Sequence, residues 1–264
     1  MPKTISFIGT GKMAAALISF IYNKKLAKSI IASDHKEENL KKIKSKFNVK
    51  TTSNNREAAR NSDVIFICVK PQDIYYVLKE IKNEAKNKLV VSIAAGIKIK
   101  HIESILKSAR VIRVMPNVNC LVGEMAAVFA AGKNAAKQDI ENVSKLLNAG
   151  GTAFLVKEDL IDGFSVISGA GPAFFAYFIK YLAEAGVKKG LQKEMAYKLA
   201  AKTALGTGKL LLEMNLSPDE LISMVASKKG VTVEGLKALD KGKVKNIMEK
   251  TFNAAYKRSK ELGK

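Results

Sequence analysis

The sequence predicts an α/β domain with a doubly wound, mostly parallel sheet, followed by an all-helical domain. Up to residue 157, short apolar and β-branched runs alternate with stretches of helical periodicity. Such repeated β-α-β units form parallel sheets with helices on both faces. Beyond residue 157 the β-rich runs stop and only helical periodicity remains. We therefore predict an N-terminal sheet domain over residues 1–157 and a helical domain over residues 158–264.

Each element follows from its local pattern. The run "DVIFICV", for example, is continuously apolar, as in a parallel strand that is buried on both faces. The predicted strands are 5–8, 29–33, 49–51, 63–69, 89–94, 110–115, 126–130 and 152–156. Helices are predicted after Gly11, at 37–47, from Pro71 to 81, and at 102–106, 135–147, 159–167, 172–185, 194–214, 219–225 and 244–262.

Composition restricts the class of protein. The formal net charge is +21, but the lysines of the chain are spread along all 264 residues, and the arginines form no cluster. This pattern is typical of a solvated surface, so we expect no nucleic-acid partner. The two cysteines are outside CxxC spacing, and no signal peptide or membrane-spanning apolar run is expected, which favours the cytoplasm. His35 and His101 are the only histidines and predict no metal site.

The segment "ISFIGTGKMAAAL" carries the strongest local signal. Gly9 permits a tight turn after the first strand, Gly11 allows close approach of a diphosphate, and Ala14 keeps the helix near the sheet. The N-terminus of the helix presents free N–H groups to the anion. This fingerprint predicts a Rossmann-type domain that binds a dinucleotide, because it follows the first strand and begins the first helix.

Asp34 follows the second strand, near the position that contacts the adenosine ribose. A carboxylate there disfavours the extra phosphate of NADP, so we expect NADH to be used at least comparably to NADPH. His35 and Lys36 favour the phosphate instead. The alternative is that Asp34 caps the following helix.

Three further segments are positioned for ligand binding. "VKP" and "SIAAGI" follow two central strands, at the rim where such sheets bind ligands. In the helical region, a loop at 227–231 precedes a helix that begins near Thr232. A hydroxyl group and free N–H groups at the start of a helix can bind a carboxylate. Taken alone, however, the same pattern is also common in ordinary loops that join two helices.

Together these segments make the whole chain resemble the pyrroline-5-carboxylate reductase family. The resemblance rests on "FIGTGKMAAAL", "SDVIFICVKP", "VVSIAAGI", "RVIRVMPNVNCLVGEMAAVFA", "EDLIDGFSVISGAGPAFF" and "SKKGVTVEGLKALDKG". It implies reduction of the ring C=N of pyrroline-5-carboxylate to L-proline, the last step of proline biosynthesis, with NADPH or NADH. It also implies a helical dimerisation domain, and hence a homodimer or a higher homo-oligomer.

The resemblance also implies site residues. It places Ile8, Gly9, Thr10, Gly11, Lys12 and Met13 at the diphosphate, Ser33 and Asp34 at the ribose, and Asn55, Val69, Lys70, Pro71 and Ala95 along the cofactor cleft. It places Glu158, Val231 and Thr232 at the substrate. Hydride transfer to C=N needs a donor at the ring nitrogen and an anchor for the carboxylate. The candidates are the catalytic hydroxyl group of Thr232 and the N–H groups of Gly230 and Val231.

The sequence departs from the family in places. The loop before Thr232, which usually reads Ser-Pro-Gly-Gly, is Ser227-Lys228-Lys229-Gly230 here. Met224 and Asp34 replace residues that in relatives contact the cofactor. These changes bear on affinity and cofactor choice more than on the reaction.

Two other functions are compatible with the N-terminal glycine fingerprint. A β-hydroxyacid dehydrogenase has the same two-domain plan but needs a catalytic lysine and an asparagine, where Phe175 and Phe178 stand here. A non-enzymatic, dinucleotide-sensing dimer would keep the N-terminal glycines without needing Thr232. Turnover of pyrroline-5-carboxylate discriminates between these functions.

Overall fold

The computed structural model describes residues 4–262 and divides into two compact units. The first contains residues 4–169 with 256–262, and the second contains 170–255. An eight-stranded sheet forms the first unit. Its strands are β1 (Thr4–Ile8), β2 (Ser29–Ser33), β3 (Lys50–Thr52), β4 (Val64–Ile67), β5 (Leu89–Ser92), β6 (Arg110–Met115), β7 (Met125–Ala131) and β8 (Gly151–Leu155).

The strand order is β3-β2-β1-β4-β5-β6-β7-β8. All neighbours are parallel except β6 and β7, which are antiparallel. This confirms the predicted doubly wound, mostly parallel sheet. The order reverses between β1 and β4, and such a switch point places ligands beyond the carboxyl ends of these strands.

Seven α-helices flank the strands in this unit. They are α1 (Lys12–Asn23), α2 (Glu37–Phe47), α3 (Asn55–Arg60), α4 (Ile74–Glu80), α5 (Ile99–Ile105), α6 (Lys137–Asn148) and α7 (Ile161–Ser165), with 3-10 turns at Pro71–Asp73, Val118–Val122 and Glu158–Leu160. Helix α3 was not predicted from the sequence. Its signal was Asn54, whose side chain accepts a hydrogen bond from the backbone N–H of Glu57 at 3.1 Å and caps the helix.

The core of the first unit lies on both faces of the sheet. Every residue of β4 is buried, as its continuous apolar run predicts. Phe7 on β1 stacks on Phe66 of β4 with ring centroids 4.9 Å apart. This contact on one face joins the two strands at the switch point.

The first unit extends past the predicted boundary at residue 157. Ile161 on α7 is fully buried in the same apolar cluster as Val128 and Ala130 of β7. Residues 158–169 therefore belong to the first unit, where Ile161 of α7 is buried in the core of the sheet domain.

The second unit is helical, as predicted. α8 (Gly171–Val187) and α9 (Lys193–Glu213) pack on each other around Ala183, Ala196 and Ala200. α10 (Pro218–Val225) and α11 (Val231–Lys241) follow, and α12 (Val244–Leu262) runs from this unit into the first. Large apolar side chains on α8 and α9 remain exposed, among them Phe175, Tyr177, Leu182 and Leu199.

One segment bears on the expectation that no apolar run spans a membrane. α7, a π-helical turn at Val166–Ala170 and α8 form a continuous helical segment, Glu158–Val187. By length and composition alone, this segment is long and apolar enough to cross a membrane. Part of it, however, contributes Ile161 to the core of the first unit.

Candidate functional site

The turn after β1 requires glycine at its first position. Gly9 has φ +87°, and its N–H donates to the carbonyl oxygen of Ser33 at 2.8 Å. A Cβ atom built here would lie 2.9 Å from Cγ1 of Val69 and 3.0 Å from the carbonyl group of Cys68. Gly9 is therefore fixed by the protein's own packing, as well as by its left-handed backbone.

Gly11 is constrained differently. It is the N-cap of α1, and a Cβ atom built here meets nothing within 4 Å. No side chain caps α1 at Gly11. The helix start therefore leaves its N–H groups and open space for an anion, whereas Ala14 is buried as predicted.

The carboxylate of Asp34 ties this turn to the end of β2. Its Oδ2 atom accepts hydrogen bonds from the N–H of Thr10 at 2.8 Å, from the hydroxyl group of Thr10 at 2.9 Å and from the amide group of Asn39 at 3.1 Å. Its Oδ1 atom accepts from the N–H of Lys36 at 2.9 Å. Asp34 thus braces the glycine turn, a role that sequence analysis did not predict.

These contacts set the charge state of Asp34. Burial raises the pKa of this carboxyl group, but hydrogen bonds from Lys36, Thr10 and Asn39 outweigh burial and lower the pKa below its usual value. Asp34 is therefore ionised at neutral pH.

An open cavity of about 540 Å³ lies beyond the carboxyl ends of β1, β2 and β4. Seven of the residues predicted at the cofactor line it: Gly9, Thr10, Gly11, Asp34, Asn55, Val69 and Lys70. His35 and Lys36 also line it, so a positively charged lysine faces the cavity at the end of β2. The cavity is large enough for a substantial part of a dinucleotide.

Six other residues predicted at the cofactor are not among those lining this cavity: Ile8, Lys12, Met13, Ser33, Pro71 and Ala95. Ile8 and Ser33 are buried at strand ends. The hydroxyl group of Ser33 donates a hydrogen bond to Oδ1 of Asn55 at 2.7 Å. Ser33 therefore orients a side chain that lines the cavity. Ala95 lies in the loop after β5, further along the same rim.

Six residues that line the cavity were not predicted from the sequence: Asn39, Cys68, Gln72, Asp73, Tyr76 and Val77. Four of them follow Pro71 in the 3-10 turn and the first turns of α4. The signal was available, because Gln72 and Tyr76 are four residues apart and helical spacing puts them on one face. Tyr76 is 74% exposed, so its ring is accessible to a ligand.

Glu158 has partners within the first unit. Its Oε1 atom accepts a hydrogen bond from the N–H of Ile99 at 2.7 Å and lies 3.3 Å from Nη1 of Arg113. Nη2 of Arg113 lies 3.5 Å from Oδ1 of Asp162. Neither Arg113 nor Asp162 was predicted as a site residue, because the sequence does not reveal which charged residues are buried.

The three other predicted substrate residues lie together in the second unit. The N–H of Gly230 donates to the carbonyl oxygen of Ser227 at 3.0 Å and closes a tight turn that leads into α11. A Cβ atom on Gly230 would lie 3.0 Å from that carbonyl oxygen. Val231 begins α11 and is 92% exposed, and Thr232 lies in its first turn.

The turn holds one residue in a strained conformation. Lys229 has φ +60°, in the left-handed region. Glycine adopts this region without cost, whereas other residues do so rarely. The replacement of the family's usual glycine by lysine therefore preserves the turn but adds strain.

Comparison with known proteins agrees with this architecture. A family model described as "Pyrroline-5-carboxylate reductase dimerisation" matches residues 158–262. Residues 4–96 match a model described as "NADP oxidoreductase coenzyme F420-dependent". The chain is 39% identical to the pyrroline-5-carboxylate reductase of Methanosarcina acetivorans, over 99% of this chain and 98% of that protein. It is 34% identical to that of Aquifex aeolicus, over 98% and 97%.

Solved structures show the same similarity. A pyrroline-5-carboxylate reductase from Coxiella burnetii superposes with a TM-score of 0.94 at 33% identity, covering 98% of each chain. A pyrroline carboxylate reductase from Plasmodium falciparum with NADP bound gives 0.88 at 30% identity, over 99% of this chain and 98% of that one. Both units are covered in each comparison. The chain therefore belongs to the pyrroline-5-carboxylate reductase family.

Proposed function

We propose that this protein reduces the C=N bond of pyrroline-5-carboxylate to give L-proline, the last step of proline biosynthesis, with NADPH or NADH as the hydride source. The observation that carries the proposal is the identity of 39% with a named reductase over 99% of the chain. The geometry of the glycine turn supports it independently.

The residues around the cavity fit a nicotinamide dinucleotide. The open helix start at Gly11 suits a diphosphate, with Gly9, Thr10, Lys12 and Met13 completing the turn. Lys36, Asn39 and Asn55 would hold the adenosine half. Residues near β4 and β5 would hold the nicotinamide half, namely Val69, Lys70, Pro71 and Ala95. The bound cofactor supplies the hydride.

The turn before α11 carries the proposed substrate chemistry. The hydroxyl group of Thr232 would donate a hydrogen bond to the ring nitrogen, and the N–H group of Val231 would anchor the carboxylate. The N–H group of Gly230, the other candidate from the sequence, instead donates to Ser227 and would shape the turn. A threonine hydroxyl group is too weak an acid to be the proton source, so water or an already protonated imine supplies the proton. Holding the ring by both groups would account for much of the rate enhancement.

The exposed apolar surface of α8 and α9 favours a homodimer. Phe175, Tyr177 and Leu182 are each more than 60% exposed in the single chain. Contiguous apolar surface of this kind usually marks an interface, and a second copy of the chain is the partner that the matched dimerisation family implies. We further propose that the dimer acts in the cytoplasm on its small-molecule substrate, without membrane or nucleic-acid partners.

Steady-state kinetics test this function. Purified protein is mixed with pyrroline-5-carboxylate and either NADPH or NADH, and both cofactor oxidation and proline are measured. We expect proline to form in proportion to the cofactor consumed. Cofactor binding without any turnover would favour a dinucleotide-sensing dimer instead.

A further inference from the structure

A buried arginine links three segments of the first unit outside the cofactor cavity. Arg113 on β6 is 3% exposed, and its guanidinium group faces Glu158 and Asp162. Nζ of Lys260 on α12 lies 3.7 Å from the other carboxylate oxygen of Asp162. The carboxylates of Glu158 and Asp162 therefore compensate the positive charges of Arg113 and Lys260. Without these partners, burial of the Arg113 guanidinium group would cost folding free energy.

Glu158 extends this network to the start of α5. The N-cap of α5, Lys98, makes no side-chain cap, so the first N–H of the helix lacks a local acceptor. Oε1 of Glu158 accepts that N–H, which belongs to Ile99, at 2.7 Å. A residue 59 positions along the chain thus caps α5.

The loop 93–98 connects β5 to α5, and the capped N–H of Ile99 directly follows its last residue. At the other end of this loop, the N–H of Ile93 donates to the carbonyl oxygen of Ile67 on β4 at 3.1 Å. Between these two ties the chain turns through Gly96, which has φ +77°. The loop contains Ala95 and lies at the carboxyl ends of β4 and β5, on the nicotinamide side of the switch point.

We propose that Arg113 and Glu158 are positioning residues that fix the loop 93–98 against the nicotinamide half of the cofactor. Arg113 holds the carboxylate of Glu158, and Glu158 holds the loop through Ile99. The proposal rests on the proposed function, because it assigns the network a task within that reaction. A loop displaced by about 1 Å would misplace the hydride donor, and errors of this size lower rates by about 100-fold.

The contact geometry supplies a discriminating pair of variants. Both contacts of Glu158 fall on one oxygen, Oε1. Glu158→Gln retains an acceptor oxygen that can receive both the Ile99 N–H and the Arg113 guanidinium. Glu158→Met has a side chain of similar length, but its thioether sulfur is only a weak acceptor. Arg113 keeps Asp162 as a partner in either variant.

The test measures binding of NADH and of ADP-ribose, which lacks the nicotinamide ring, together with kcat and the KM for pyrroline-5-carboxylate. For Glu158→Met we expect about 10-fold weaker NADH binding and a kcat about 10- to 100-fold lower. The affinity for ADP-ribose and the KM for pyrroline-5-carboxylate should each stay within about 3-fold of the wild-type values. That is less than the tenfold change in affinity to which about 1.4 kcal/mol corresponds. Glu158→Gln should restore NADH binding and kcat.

Glu103→Ala is the matched control, because Glu103 also lies on α5 and accepts a backbone N–H, that of Lys133, at 3.0 Å. This hydrogen bond ties α5 to residue 133 rather than to the loop 93–98, so its loss should leave kcat unchanged. The proposal is overturned if Glu158→Met raises only the KM for pyrroline-5-carboxylate, which would make Glu158 a direct substrate ligand. It is also overturned if that variant does not fold, or if NADH and ADP-ribose weaken equally. Wild-type protein without turnover would instead refute the proposed function itself.

Discussion

The Oδ2 atom of Asp34 accepts hydrogen bonds from both the backbone N–H and the hydroxyl group of Thr10, at 2.8 and 2.9 Å. This relationship joins the end of β2 to the glycine turn after β1. A carboxylate at the end of β2 therefore shapes the turn that we propose for the diphosphate.

Asp34→Ala should therefore weaken NADH and NADPH binding together, because it releases the turn that both cofactors use. Unsatisfied donors should also lower the free energy of unfolding by about 1–3 kcal/mol. Binding titrations with both cofactors and thermal melts measure these effects. Asp63→Ala is the control, since Asp63 accepts the N–H of Thr4 at 2.8 Å at the other end of β1. A selective gain in NADPH affinity for Asp34→Ala would show instead that the carboxylate mainly repels the extra phosphate.

The lowered pKa of Asp34 predicts how stability depends on pH. A carboxylate whose pKa is lower in the folded state stabilises the fold above its unfolded pKa, near 3.8. That contribution is lost as the pH falls from this value through the folded pKa. The difference in unfolding free energy between wild type and Asp34→Asn should thus shrink as the pH falls below 3.8. Denaturant titrations at several pH values measure it, and a constant difference would contradict the assignment.

Gly9 and Gly11 belong to one fingerprint but should respond differently to substitution. Gly9→Ala places a Cβ atom 3.0 Å from the carbonyl group of Cys68 at φ +87°, so it should destabilise the fold by at least about 1–2 kcal/mol. Gly11→Ala meets no protein atom within 4 Å and should leave the melting temperature nearly unchanged. It should nevertheless weaken both cofactors, because the methyl group occupies the space for the diphosphate. Full cofactor affinity in Gly11→Ala, measured by titration, would contradict this placement.

The sequence predicts interactions between residues that are close along the chain better than interactions between residues that are far apart along it. The spacing of Gly9, Gly11 and Ala14 is local, and it correctly predicted the turn and the buried helix face. The contact between Asp34 and Thr10 depends on the parallel register of β1 and β2, which pairs Ile8 with Ser33 and which no local pattern encodes. Likewise, the burial of Arg113 follows from its place on β6 in the assembled sheet.

Lys229 should carry a measurable strain. Lys229→Gly should raise the free energy of unfolding by about 1 kcal/mol, because glycine adopts φ +60° without steric cost. Lys228→Gly is the matched control, since Lys228 is outside the left-handed region and should gain nothing. Chemical denaturation measures the free energy of unfolding of both variants. Equal changes in the two variants would show that Lys229 is not strained.

Thr232 is expected to act on the substrate rather than on the fold. Thr232→Ala should lower turnover about 10- to 1000-fold, a loss of about 1.4–4 kcal/mol, while dinucleotide binding stays intact. Thr232→Ser keeps a hydroxyl group and should retain most of the activity. Near-normal turnover with a lowered melting temperature in Thr232→Ala would show that the residue only stabilises the start of α11.

Isotope transfer tests the reduction of the C=N bond most directly. Wild-type protein is supplied with pyrroline-5-carboxylate and with NADPH or NADH that carries deuterium at both hydrogen positions of C4 of the nicotinamide ring, and the proline is analysed by mass spectrometry. We expect one carbon-bound deuterium in each proline formed, because the hydride moves directly to the ring carbon of the C=N bond. Proline without deuterium, or oxidation of the cofactor without proline, would contradict the assignment.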